Sequence, residues 1–79
     1  MKLPRNLSSY DLIRSLSRLG YQVTRQTGSH IRLKTEENGE HHLTIPAHNP
    51  IKIGTLNNIL KSVAEHFDIS RDELLRKLF

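Results

Sequence analysis

The 79-residue sequence predicts a small α+β domain, a three-stranded antiparallel sheet with its helices on one face. Three observations lead there: a helical apolar stripe near the start, three short alternating segments joined by glycine-bearing turns, and a second helical stripe beginning at Ile53. Length confines the chain to one domain, residues 1–79, because a second core would have too few residues to close around it.

Ser8-Ser9-Tyr10-Asp11 reads as a capping box, with Leu7 and Leu12 placed as a hydrophobic staple. Leu12, Ile13, Leu16 and Leu19 then fall on one helical face and Arg14 and Arg18 on the other. Gly20 is the natural stop, so the first helix is predicted over residues 9–19. From Tyr21 to Gln26 the pattern changes to alternation, with Tyr21 and Val23 on one side and Gln22 and Thr24 on the other, as in a half-buried strand.

Thr27-Gly28 is the turn. In the strand from His30 to Lys34, Ile31 and Leu33 face the core, which leaves His30, Arg32 and Lys34 together on the opposite face. Asn38-Gly39 is a strong hairpin signal, and the next strand, His41 to Ile45, turns Leu43 and Ile45 inward and His42 and Thr44 toward the face of His30. Pro46 to Pro50 is a loop. Ile53, Leu56, Ile59, Leu60, Val63 and Phe67 mark a second amphipathic helix beginning near Gly54-Thr55. Ser70-Arg71-Asp72-Glu73 is another capping box, stapled by Ile69 and Leu74, and starts a short terminal helix. Its residues Leu74, Leu75 and Leu78, with Phe79, are read as a patch over the edge of the core, a docking surface being the alternative.

Composition narrows the function. The sequence has no cysteine, which removes disulfides, thiolate metal sites and cysteine nucleophiles, and makes an intracellular location the simplest reading. No apolar run approaches the roughly 18 residues a membrane span needs, and none follows the basic start as in a signal peptide. A cytoplasmic, membrane-free protein is expected. The net charge is +4, but it is unevenly placed. Through Thr35 there are seven basic residues, Lys2, Arg5, Arg14, Arg18, Arg25, Arg32 and Lys34, against the single acid Asp11. A polyanion such as RNA would therefore meet the first half of the chain.

No serine sits in a glycine-flanked nucleophile elbow. Glu36, Glu37 and Glu40 lie on a hairpin tip, where a solvated turn explains them. His41, His42 and His48 match no zinc spacing, so neither metal nor small-molecule cofactor is expected. His30 stands apart, because it follows the Gly28-Ser29 turn, where a phosphate could come close to the backbone, and shares its face with Arg32 and Lys34. A neutral imidazole there is suited to take the proton of a ribose 2′-hydroxyl, whose oxygen attacks the adjacent phosphorus while the cations stabilise the added charge.

The segment GSHIRL, after a helix and a strand, followed by TIPAHNPIKIGTLNNIL, resembles the HicA-type (YcfA-like) toxins of bacterial and archaeal toxin–antitoxin pairs. The resemblance covers nearly the whole chain. It implies a fold like a small double-stranded-RNA-binding domain, α-β-β-β-α, with a short extra C-terminal helix. It also implies an mRNA-cleaving endoribonuclease in which the G-S-H histidine, here His30, is required, and a HicB-type antitoxin that covers the active face and joins in repressing the pair's own operon.

Pro46-Ala47-His48 and Gly54-Thr55-Leu56 also match the family pattern, placing the loop from His48 to Lys52 near the site. Supporting RNA contacts are therefore assigned to Arg32, Lys34, Gly28, Ser29, His48, Lys52 and Thr55. Gly54-Thr55 could hold a phosphate on free helix N–H groups or simply cap the helix. Duplex-binding relatives of the fold carry several lysines at this helix start. This chain has only Lys52 there, so single-stranded mRNA is the expected substrate. The alternatives are a module of the same fold that binds RNA without cutting it, and an interaction protein whose basic face meets an acidic partner.

Overall fold

The computed structural model describes residues 3–4 and 6–79. The elements run α1 (Ser9–Leu16), a 3-10 turn (Ser17–Leu19), β1 (Gln22–Thr27), β2 (His30–Thr35), β3 (His41–Pro46), α2 (Ile53–Phe67) and α3 (Arg71–Leu78). The strands form one antiparallel sheet in the order β1-β2-β3.

The start of α1 is closed reciprocally. Ser8 Oγ accepts the Asp11 N–H at 3.0 Å and the Asp11 carboxylate accepts the Ser8 N–H at 3.4 Å. Leu12 and Leu16, one turn apart, are both fully buried. The predicted single helix to Leu19 tightens into a 3-10 turn for its last three residues, and Gly20 ends it at φ +83°. Helix ends commonly tighten this way because the last carbonyls lack partners farther along the chain.

Ile31 and Leu33 of β2, and Leu43 and Ile45 of β3, turn inward and meet Leu56, Ile59, Leu60 and Val63 of α2 and Leu12 and Leu16 of α1 in one core. Alternation puts the other side of the same strands in water. Leu74, Leu75 and Leu78 of α3 are also buried, so the terminal helix completes the core, and α3 packs against α2. Ser70 caps α3 by accepting the Glu73 N–H at 3.1 Å.

One strand departs from the expected pattern. Tyr21 is buried just ahead of β1, but every residue of β1 itself is exposed, Val23 at 51%. Val23 pairs with Leu33 and so lies on the helix side, as its alternation predicts. Its exposure arises because, of the sheet's two edge strands, β3 is the one packed under α2, while β1 lies beyond the reach of the helices.

Candidate functional site

His30 opens β2 beside Thr27 of β1 and Pro46 of β3. Between Thr27 and His30 the chain reverses in two residues, with Gly28 at φ +56° and Ser29 outside the left-handed region, the φ pattern of a type II′ hairpin. Nothing lies within 4 Å of where a Cβ on Gly28 would sit, so the turn leaves its outer surface free.

A two-residue loop fixes register, and counting back from it pairs Gln26 with Ile31 and Arg25 with Arg32. Counting forward from Tyr21 gives the opposite parity. A bulge between Val23 and Arg25 reconciles the two: Thr24 is the extra residue, and its hydroxyl donates to the Arg32 carbonyl at 3.3 Å. Arg25 and Thr27 thereby join His30 on the open face. Unbroken alternation from Val23 would put Arg25 on the helix side; the signal that places it on the open face is the length of the turn.

The result is a shallow depression of about 170 Å³ lined by Arg25, Thr27, His30, Arg32 and Thr44. All five are exposed, and His30 and the two arginines are held by strand backbone. Among the described residues, neither arginine side chain has an acidic or hydrogen-bonding partner.

The far end of the same face differs. Lys34 pairs with Gln22 and His42 in register, and its Nζ lies 3.5 Å from Glu36. His42 Nε2 is 2.9 Å from Glu40, and that hydrogen bond, with the charges of His42 and Lys34, holds the Glu40 carboxyl below its ordinary value. The open face is thus acid-free around His30 and charge-balanced around Lys34.

The other residues expected at the site are less closely grouped. The Ser29 carbonyl accepts the Ala47 N–H at 2.7 Å, tying the turn to the loop that carries His48. Asn49 Oδ1 accepts the Ser9 N–H at 3.0 Å, and the Ile51 N–H donates to the Leu7 carbonyl at 2.8 Å. His48 is exposed between these anchors, so its backbone position is fixed from both sides. Lys52 and Thr55 do not line the depression around His30. Lys52 is the N-cap residue of α2, which begins at Ile53, with no side-chain cap and no acid in its first turn. Gly54 and Thr55 therefore sit inside the first turn, so the reading of them as the cap gives way.

Of the other histidines, His41 belongs to a separate cluster at the opposite end of the sheet. Its Nδ1 is 2.7 Å from the Tyr21 hydroxyl, its Nε2 is 3.2 Å from Ser62 Oγ, and its ring stacks on His66 at 4.4 Å. Burial pushes the Tyr21 hydroxyl up to about 12, so Tyr21 stays protonated, and the His41 tautomer sets which of the two donates. Among the described residues no three histidine or carboxylate side chains converge as a metal would require.

Fold and site together define a small α-β-β-β-α domain with the layout of a double-stranded-RNA-binding domain, lengthened by one helix, that displays a histidine beside two unpaired arginines on an open sheet face. The profile of the family described as HicA toxin of bacterial toxin-antitoxin matches residues 9–64, more than half the chain, and the chain belongs to that family. It is therefore the toxin member of such a pair, with an antitoxin as partner. No curated protein and no solved structure matches it. Among the described residues no helix is long and apolar enough to cross a membrane.

Proposed function

We propose that this toxin is an endoribonuclease that cuts single-stranded mRNA in the cytoplasm, with His30 as the general base. The observation that carries the reading is the placement of His30, on rigid strand backbone, in an acid-free depression with Arg25 and Arg32. His30 takes the proton of a ribose 2′-hydroxyl. The freed oxygen attacks the adjacent phosphorus, the bond to the 5′-oxygen breaks, that oxygen takes a proton from solvent water, and the products are a 2′,3′-cyclic phosphate and a 5′-hydroxyl. Cations beside the phosphate stabilise the charge that builds on its oxygens, and the nucleophile comes from the substrate itself.

The Gly28-Ser29 turn, with open space over Gly28, lets a backbone phosphate approach, and His48, Lys52 and Thr55 are assigned to RNA farther along the strand. Lys34 contributes less than Arg32, since Glu36 already offsets its charge. Single strands are favoured because the start of α2 carries one lysine where groove-spanning duplex recognition needs several backbone contacts. An antitoxin of the HicB type, presenting acids to the His30 end of the open face, would block the site.

The test is cleavage of a defined single-stranded RNA in EDTA. His30→Ala, at an exposed position, is expected to fold normally and to cut at least ~100-fold more slowly, the lower range for loss of a general base. Equal cleavage by both proteins would remove His30 from the chemistry. RNA binding by both without cutting would favour the module that binds RNA only.

A further inference from the structure

We infer that Arg25 and Arg32 form a cross-strand clamp for one RNA phosphodiester beside His30, with the Thr27 and Thr44 hydroxyls as additional donors. The inference rests on reading the His30 face as the RNA-cutting site, and it names the group that this part of the face holds.

The pair is opposed directly in register, Arg25 against Arg32, on an exposed face. Like charges in that position repel and weaken the strand pairing, and here no acid relieves them among the described residues. An anion bound between them would turn the repulsion into attraction.

The other basic residues of the first half are engaged elsewhere or lie outside the described residues. Arg18 Nη1 donates to the Leu78 carbonyl at 3.0 Å, Arg14 lies 3.8 Å from Asp11, and Lys34 lies 3.5 Å from Glu36. Lys2 and Arg5 are outside the described residues. Arg25 and Arg32 are the two left free, and the local backbone is shaped to bring them together. The turn at Gly28-Ser29 sets the register, and the Thr24 bulge, closed onto the Arg32 carbonyl, absorbs the extra residue. Two guanidinium forks on neighbouring strands, with two threonine hydroxyls in the same depression, supply the convergent N–H and O–H donors that a phosphate accepts.

The experiment measures binding of a fully 2′-O-methylated single-stranded RNA, which has no free 2′-hydroxyl and stays intact, across a salt series with the full chain. Arg25→Gln and Arg32→Gln should each weaken binding about tenfold at fixed salt, a charge-assisted contact to phosphate being lost. Each should also lower the slope of log affinity against log salt by about 0.7, the single-strand value for one phosphate contact. Arg25→Lys should keep the wild-type slope while binding more weakly, because charge is retained and the fork is not. Both Arg25 variants should melt no lower than wild type, the position being exposed. An unchanged slope in folded Arg25→Gln, with cleavage of ordinary RNA by wild type intact, overturns the clamp and leaves the proposed reaction standing. The expected slopes in a wild-type protein that cuts no ordinary RNA support the clamp and overturn the proposed reaction.

Discussion

Two glycines with positive φ, Gly20 and Gly28, separate backbone strain from steric exclusion when each is changed to alanine. At Gly28, φ is +56° and nothing lies within 4 Å of the added Cβ, so only the left-handed backbone term applies. That term is about 1–2 kcal/mol. In a domain of this size it corresponds to a fall in Tm of roughly 10 °C. At Gly20, φ is +83° and the Cβ would sit 2.8 Å from Thr35 Oγ1 and against the Glu37 carboxylate. The carboxylate can swing away. The threonine hydroxyl cannot, because it donates to the Leu19 carbonyl at 2.9 Å and accepts the Glu37 N–H at 3.1 Å. Overpacking adds about 1–3 kcal/mol to the same backbone strain. Gly20→Ala should therefore lose roughly twice the stability of Gly28→Ala, a fall in Tm of about 20 °C. Thermal and urea unfolding measure both, and RNA cleavage at 20 °C below each Tm measures function. Gly28→Ala should lose cleavage out of proportion to its stability, since its Cβ fills the space a phosphate needs. Equal destabilisation of the two variants would refute the steric argument, and full cleavage by Gly28→Ala would refute close approach at the turn.

Burial, with smaller contributions from the charges of His66 and His42, lowers the pKa of His41 below its ordinary value of 6.5. The neutral form is favoured in the fold, so its stabilisation is fully present above pH 6.5 and is lost as pH falls through that value toward the lower folded one. The urea midpoint should drop between pH 7 and 5, and His41→Gln should flatten that drop; a parallel profile for the variant would assign the loss to other groups. Leu75, fully buried on the inner face of α3, should lose about 2–5 kcal/mol on change to alanine, whereas Phe79→Ala, at a residue 37% exposed, should lose less than about 1 kcal/mol. Similar losses by urea unfolding would mean that the terminal helix is not part of the core.

Most of the fold was legible because local chemistry and periodicity agree. The Ser8 and Ser70 caps, the Gly20 stop, the Asn38-Gly39 hairpin and the α2 stripe each predict the element that forms. Alternation also put His30, Arg32 and Lys34 on one face. It did not separate Lys34 from Arg32, because Glu36, two residues on from Lys34, was read as part of a solvated hairpin tip and not as the partner of Lys34. No face was read for Arg25, and alternation carried on unbroken from Val23 would give the wrong one, because one extra residue at Thr24 reverses the parity. Val23 was placed on the right side, but its exposure depends on how far the helices reach across the sheet, a tertiary property. The meeting of His41 with His66 joins residues 25 apart in sequence and had no local signal.

The central claim is that His30 drives attack by the ribose 2′-hydroxyl, and the most direct measurement is the chemistry of the cut ends. A single-stranded RNA with one mapped cleavage position would be digested in EDTA, both as ribonucleotide and with a single 2′-deoxy substitution 5′ to the cut, and the termini identified by mass spectrometry. The account predicts 2′,3′-cyclic phosphate and 5′-hydroxyl ends from the ribonucleotide, no cut at the substituted position, and no cut by His30→Ala. Cleavage at the deoxy position, or 3′-hydroxyl and 5′-phosphate ends, would contradict it.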